Sequence, residues 1–409
     1  MARERRGALG GVALAILAPI LATVLAGAAQ AADAVKLGVL TDLSGPYAEI
    51  TGRMSVRAAE MAIADFGRTV LGQPIVLVSA DHQQKPDVGL TIAREWLDQG
   101  GVTAILDANN SAIGLGVNEL VRTRKRVFLA RAVSDDLTGR ACSPDTTTQW
   151  VASSKGLARG IALPAVRAGA TDWFFVTVNY AFGHALEDLG SRIVREAGGR
   201  VIGAARYPAG TSDFSSYLLE AQSRGAKTIA IAAAGADVGN IIKQAKEFGL
   251  DAAIVPFYLN ETDVEAVGAD TLAGIRNVVT FFWNRSDESR AFAARFKART
   301  GQLPTFTAQQ QYSAVTHYLK ALRASGTTEA AAVSAKMREM PVEDATGFRA
   351  RVRADGRVLN DMFAVVVKPA RDATGAWDYF REVGVVKSSD LYPDSDAALC
   401  PALGQASAR

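Results

Sequence analysis

The sequence predicts an α/β protein built as two doubly wound, Rossmann-like lobes. Three observations predict it. Short apolar runs of strand length alternate with stripes of apolar residues at helical spacing. The alternation starts near residue 35 and begins afresh after about residue 150. Several of the strand-like runs end in clusters of Asn, Asp, Ser, Gly and Tyr, the residues that form turns and bind ligands at the carboxyl edge of a parallel sheet.

In order along the chain, Val35–Leu40 is wholly buried in character, as a parallel strand covered on both faces must be. Val56, Ala59, Ile63 and Phe66 form a helical stripe, 75–78 a strand, and Val88, Ile92 and Trp96 a second stripe. A strand over 103–106, a helix over 117–124 and a strand over 127–130 complete the first series. The second series predicts helices over 156–168, 186–197, 217–223 and 238–248, with strands over 173–178, 201–204, 228–232 and 253–257. The last third changes character. Helices are predicted over 291–300, 311–324 and 330–339, then extended segments 348–353, 358–359 and 363–368 around the turn Ala354-Asp355-Gly356. Residues 345–400 therefore read as an appended antiparallel edge.

The chain opens with Arg3, Arg5 and Arg6, an apolar stretch from Val12 to Leu25, and small residues ending in Ala29-Gln30-Ala31. That order is a secretory signal over residues 1–31, cleaved after Ala31, and it predicts a periplasmic protein. About 378 of the 409 residues remain, enough for two medium domains. The +3 of the full chain falls to about +1 once the leader's three Arg and one Glu are removed, which gives no electrostatic case for nucleic acid. Cys142 and Cys400 are the two cysteines, and in an exported protein such a pair predicts a disulfide tying the tail to the middle of the chain. The sequence carries no P-loop, nucleophile elbow or His-Glu-x-x-His motif, so it predicts neither an enzyme nor a cofactor. His82, His184 and His317 stand far apart and are read as loop or packing residues.

The ends of the predicted strands supply the candidate binding site. They contribute Thr41 to Tyr47, then Asn109, Asn110 and Ser111 before a helix, then Arg131, Ala132 and Val133. From the second series come Tyr180, Ala234 with Asp237, and Asn260. Turn and cap chemistry explains any one of these; the set from two lobes is more simply explained by a cleft.

Val35–Gly52, Asp81–Val88, Asp107–Ser111, 136–139, Tyr180–Gly183 and Lys243–Leu250 together resemble periplasmic solute-binding proteins of the leucine/isoleucine/valine-binding type. The resemblance implies the type I periplasmic-binding-protein architecture, with two lobes joined by three crossovers near 151, 283 and 343. Lobe 1 would then comprise 32–150 plus 284–343, and lobe 2 residues 151–283 plus 344–409. It implies a protein that clamps a small molecule by hinge closure and delivers it to an inner-membrane ABC permease; a monomer is expected, with a homodimer left open. Ser111 keeps the family's hydroxyl for a ligand carboxylate, and Tyr180 matches its cleft tyrosine. Val133 stands where a threonine hydroxyl is usual, Ala233–Gly235 where an aromatic is usual, and Asn260 where an acid pairs with the ligand's ammonium. A buried ammonium without an acid is costly. Arg131 could instead grip a carboxylate, between walls supplied by Tyr47, Tyr180 and Trp283. The expected ligand is an aromatic or other small carboxylate. Three alternatives stay open: an amino acid or amide with Asp237 or Glu261 as the replacement acid, a sensor of the same fold, and Arg131 as a mere salt-bridge partner.

Overall fold

The computed structural model describes residues 34–45 and 47–406. The predicted signal peptide lies outside the described residues.

The first series forms strands β1 (Val35–Thr41), β2 (Thr69–Val70), β3 (Gln73–Asp81), β4 (Val102–Asp107), β5 (Val127–Ala130) and β6 (Thr147–Gln149). They pair in the order β2-β3-β1-β4-β5-β6, all parallel except the two-residue hairpin strand β2. Apart from β2, this order reverses direction between β1 and β4. The second series forms β7 (Trp173–Val178), β8 (Val201–Tyr207), β9 (Thr228–Ala232) and β10 (Ala253–Pro256), in the parallel order β10-β9-β7-β8, with its reversal between β7 and β9. At such switch points the flanking loops leave to opposite faces and open a crevice beyond the strand ends. The two switch points position the site.

The remaining strands are antiparallel. β11 (Arg276–Val279), β15 (Met362–Val367) and β16 (Phe380–Val386) form one sheet, and β12 (Val342–Glu343), β13 (Arg349–Val352) and β14 (Val358–Leu359) another.

The apolar cores group most of the chain around one or the other parallel sheet. Trp150 packs in the core of the first lobe and Val151 in that of the second; Phe281 and Phe282 divide in the same way. The third change falls between Val358 and Leu359 rather than near 343. The cause is the β12–β14 sheet, whose Val342, Phe348, Val352 and Val358 pack in the first lobe's core with the helix Phe306–Ser325. The antiparallel segment is thus shared between the lobes instead of being an edge of the second alone.

At this crossing sits Arg357, 1% exposed. Its guanidinium donates to the Val151 carbonyl at 2.9 Å, to Thr138 Oγ1 at 3.3 Å and to Gln149 Oε1, and lies 4.6 Å from the Tyr392 ring centroid. One side chain therefore ties the first crossover, the third crossover and the C-terminal tail. The Cys142–Cys400 disulfide forms beside it, with Cα atoms 5.5 Å apart. Replacing Arg357 with Met leaves the carbonyl and the two side-chain oxygens without their donor. It is expected to lower the unfolding free energy in urea by about 3 kcal/mol; an unchanged midpoint would contradict this role.

Candidate functional site

A narrow cleft, partly open to solvent, lies where the two switch points face each other. Its wall takes Tyr47, Asn109, Asn110, Ser111, Arg131 and Val133 from the first lobe, and Tyr180, Phe182, Ala234 and Tyr258 from the second. Ile50, Thr51, Gln84 and Val151 complete it.

Local chemistry aims each group. Beyond β1, the fully buried Asp42 accepts from the backbone N–H groups of Gly45 (2.6 Å) and Tyr47 (3.0 Å), and this turn presents Tyr47. Gln84 is held at both ends, donating to Asp42 Oδ2 at 3.1 Å and accepting from Asn110 Nδ2 at 3.0 Å. Beyond β4, Asp107 and Ala108 take φ of 77° and 50°, the left-handed region that L side chains rarely adopt. This costly turn is pinned by the Ala108 N–H on Leu40 O and the Arg131 N–H on Asp107 O, both 2.8 Å. It delivers Asn109 to His82 Nε2 (2.7 Å) and Asn110 to the helix Ser111–Arg124, whose first N–H groups it caps.

Arg131 follows β5 and its side chain is 1% exposed. Nη1 donates to Ser55 Oγ at 2.9 Å and sits 3.5 Å from Asp107 Oδ2, while Nε and the other Asp107 oxygen have no partner among the described residues. The pair lies wholly within the first lobe. Arg131 is therefore both a salt-bridge partner and part of the cavity wall, not a surface or interlobe bridge.

The second lobe closes over this floor. Gly235, with φ 69° and ψ −151°, occupies backbone space open only to glycine and lets the chain turn from Ala234 into the helix Ala236–Glu247. Tyr180 caps the helix Ala181–Glu196, and its hydroxyl bonds the hydroxyl of Tyr47 across the cleft. Burial pushes the Tyr47 phenol up to about 12 and raises Tyr180 as well, so both stay protonated, one donating and one accepting. Phe182 meets Tyr258 edge-on at 6.2 Å, and Tyr258 meets Phe306 of the first lobe at 5.8 Å.

Four expected site residues do not line the cavity. Ala132 is buried in the first lobe, where a side chain on Gly114 would strike its Cβ. Asp237 lies in the first turn of its helix, accepting from Tyr207 Oη at 3.1 Å. Asn260 is fully buried as a helix cap, accepting from the Thr262 N–H at 3.0 Å and donating to Asp263 at 2.7 Å. Trp283 turns to the Trp377 carbonyl, 2.9 Å from its Nε1. Conversely, Gln84 escaped notice although it follows β3, where the strand-end rule applies equally. Ile50, Val151 and Phe182 carry no polar signal of their own, and Thr51, though polar, lies four residues beyond the Tyr47 strand end.

These features match a known group. Residues 34–375 match the family model for periplasmic binding proteins. The chain belongs to that family. A periplasmic binding protein from Burkholderia mallei is similar at 38% identity and a TM-score of 0.85, covering 88% of this chain and 96% of that one. The periplasmic ligand-binding protein of a branched-chain amino acid ABC transporter from Burkholderia xenovorans is 36% identical, with a TM-score of 0.81 over 90% and 99%. Leu/Ile/Val-binding protein homolog 6 of Brucella abortus is 24% identical over 68% of this chain and 72% of its own. The architecture is that of type I periplasmic binding proteins, and among the described residues no helix is long and apolar enough to cross a membrane.

Glu261, the other replacement acid, is 1% exposed. Among the described residues its carboxyl oxygens find no side-chain partner, and burial pushes it up to about 8. At neutral pH this periplasmic binding protein holds it mainly as the neutral acid. Because the folded value lies above the unfolded one, the stability tied to the neutral form is complete below about pH 4.5 and is lost as pH rises through about 8. Glu261→Gln is expected to remove a fall of at most about 1.4 kcal/mol per pH unit between these limits, measured by urea unfolding at pH 5 and pH 8. Parallel wild-type and variant curves would refute the assignment.

Proposed function

We propose that this periplasmic binding protein captures a small organic carboxylate without an α-amine, aromatic acids foremost, and delivers it to an inner-membrane ABC permease. One observation carries the reading: among the described residues, the cavity wall contains one cation, Arg131, and no carboxylate. An α-ammonium would be desolvated there without a charged partner, whereas a carboxylate meets a guanidinium and the hydroxyl of Ser111 at a helix start. Four aromatic rings and Ile50, Val133 and Val151 offer flat and apolar walls for the rest of the molecule. Contacts from both lobes favour the closed form, which is how binding becomes a signal for transport.

Structures of the same fold have been solved with benzoate and with 4-hydroxybenzoate, at 19% and 20% identity; that likeness speaks for the fold alone. The branched-chain amino acid description of the 36%-identical relative favours a second reading, amino-acid binding.

Calorimetric titration of the exported chain separates the two. Benzoate, 4-hydroxybenzoate and short-chain carboxylates are expected to bind, and leucine, isoleucine and valine are not. The paired variant Arg131→Gln/Asp107→Asn removes the cation without stranding its partner. It is expected to weaken carboxylate binding by at least about 2 kcal/mol with folding retained. Binding of α-amino acids alone would overturn the proposal.

A further inference from the structure

We infer that the C-terminal tail is a fourth, disulfide-closed tether between the lobes, which limits how far the hinge opens. Up to residue 396 the tail belongs to the second lobe. Leu391 and Tyr392 are buried in that lobe's core, and Tyr392 Oη accepts from the Ser153 N–H at 3.0 Å. Asp396 pairs with Lys155 Nζ at 3.1 Å and Arg159 Nη1 at 3.2 Å, both on the helix Ser154–Arg167. Four residues later Cys400 is bonded to Cys142. The loop carrying Cys142 is anchored on the first lobe, through buried Leu137 and through Asn118 Nδ2, which donates to the Ala141 carbonyl at 2.8 Å. The first-lobe hairpin adds a second hold, since Arg353 Nη1 donates to the carbonyls of Tyr392 (3.0 Å) and Pro393 (3.1 Å).

The span between the two anchors is short. Residues Asp394–Leu399 are wound as a 3₁₀ helix, with a rise of about 2.0 Å per residue against about 3.3–3.6 Å when extended. Over four residues the difference is about 5–6 Å. Once the Arg353 bonds to the tail give way, separation beyond that slack must break the Asp396 ion pairs or pull Tyr392 from its core. The three backbone crossovers impose no such stop on their own, because hinge segments absorb rotation in φ and ψ. The tether acts whatever solute the cleft accepts, so it stands apart from the proposal above.

Two variants test it: Cys142→Ser/Cys400→Ser, which cuts the covalent anchor, and Asp396→Asn, which keeps the disulfide and weakens the other. Each is compared with the oxidised wild type, stripped of solute, by small-angle scattering and hydrogen exchange. The tether predicts a larger radius of gyration in both variants and several-fold faster exchange at Val151–Ser153, with the double variant the more open. A lower melting temperature with an unchanged radius of gyration, and faster exchange confined to 388–406, would reduce the disulfide to a staple and overturn the inference. If the double variant fails to fold, Asp396→Asn decides alone by the same two readouts.

Discussion

The structure depends on a buried cation at the hinge. The Arg357 guanidinium spreads its charge over a carbonyl, a threonine, a glutamine and an aromatic face, with the buried Asp135 carboxyl within electrostatic reach. Burying a guanidinium on neutral acceptors is tolerable only while all of them hold their geometry. Those groups lie between Thr138 and Val151 and at Tyr392, far in sequence from one another and from Arg357, so the requirement couples the two segments. The first crossover cannot shift without disturbing the third, nor either without disturbing Tyr392. A protein that works by hinge motion needs lobes that move as rigid bodies, and a junction of this kind confines the motion to a few backbone angles.

The alternating periods made most of the fold legible. Strands such as Val35–Thr41 and Trp173–Val178 announce themselves because burial on both faces leaves a mostly apolar run. β6 was not legible: Thr147, Thr148 and Gln149 are polar, and they form a strand because β5 offers an edge and Arg357 reaches the Gln149 side chain. The late change of lobe near Val358 was hidden for a related reason. Whether a short hairpin packs up or down is decided by tertiary contact, and Phe348 and Val352 carry no mark of which core they fill.

The site was partly legible by the same logic. The strand-end rule located Tyr47, Asn109 to Ser111, Arg131, Val133, Tyr180 and Ala234 because the topology sends those loops into one crevice. It failed for Asn260 and Asp237, where polar residues at strand ends serve the backbone and a neighbouring tyrosine instead. The pairing of Arg131 was harder to read. Asp107, a residue that tolerates the left-handed region, reaches it through a turn that Ala108 does not advertise.

The phenol pair across the cleft bears on the economy of transport. A bond between Tyr47 and Tyr180 joins the lobes through protein groups alone, so it favours closure whether or not a solute has arrived. A receptor with part of its closing free energy built in asks less of its ligand and can bind scarce solutes tightly. The same bias narrows the difference between loaded and unloaded shapes. A permease that responds to the closed outline then meets more receptors that have nothing to deliver, and each such encounter occupies a docking site. Under the proposed function, the strength of this one hydrogen bond bears on the balance between scavenging at low concentration and fidelity at the membrane.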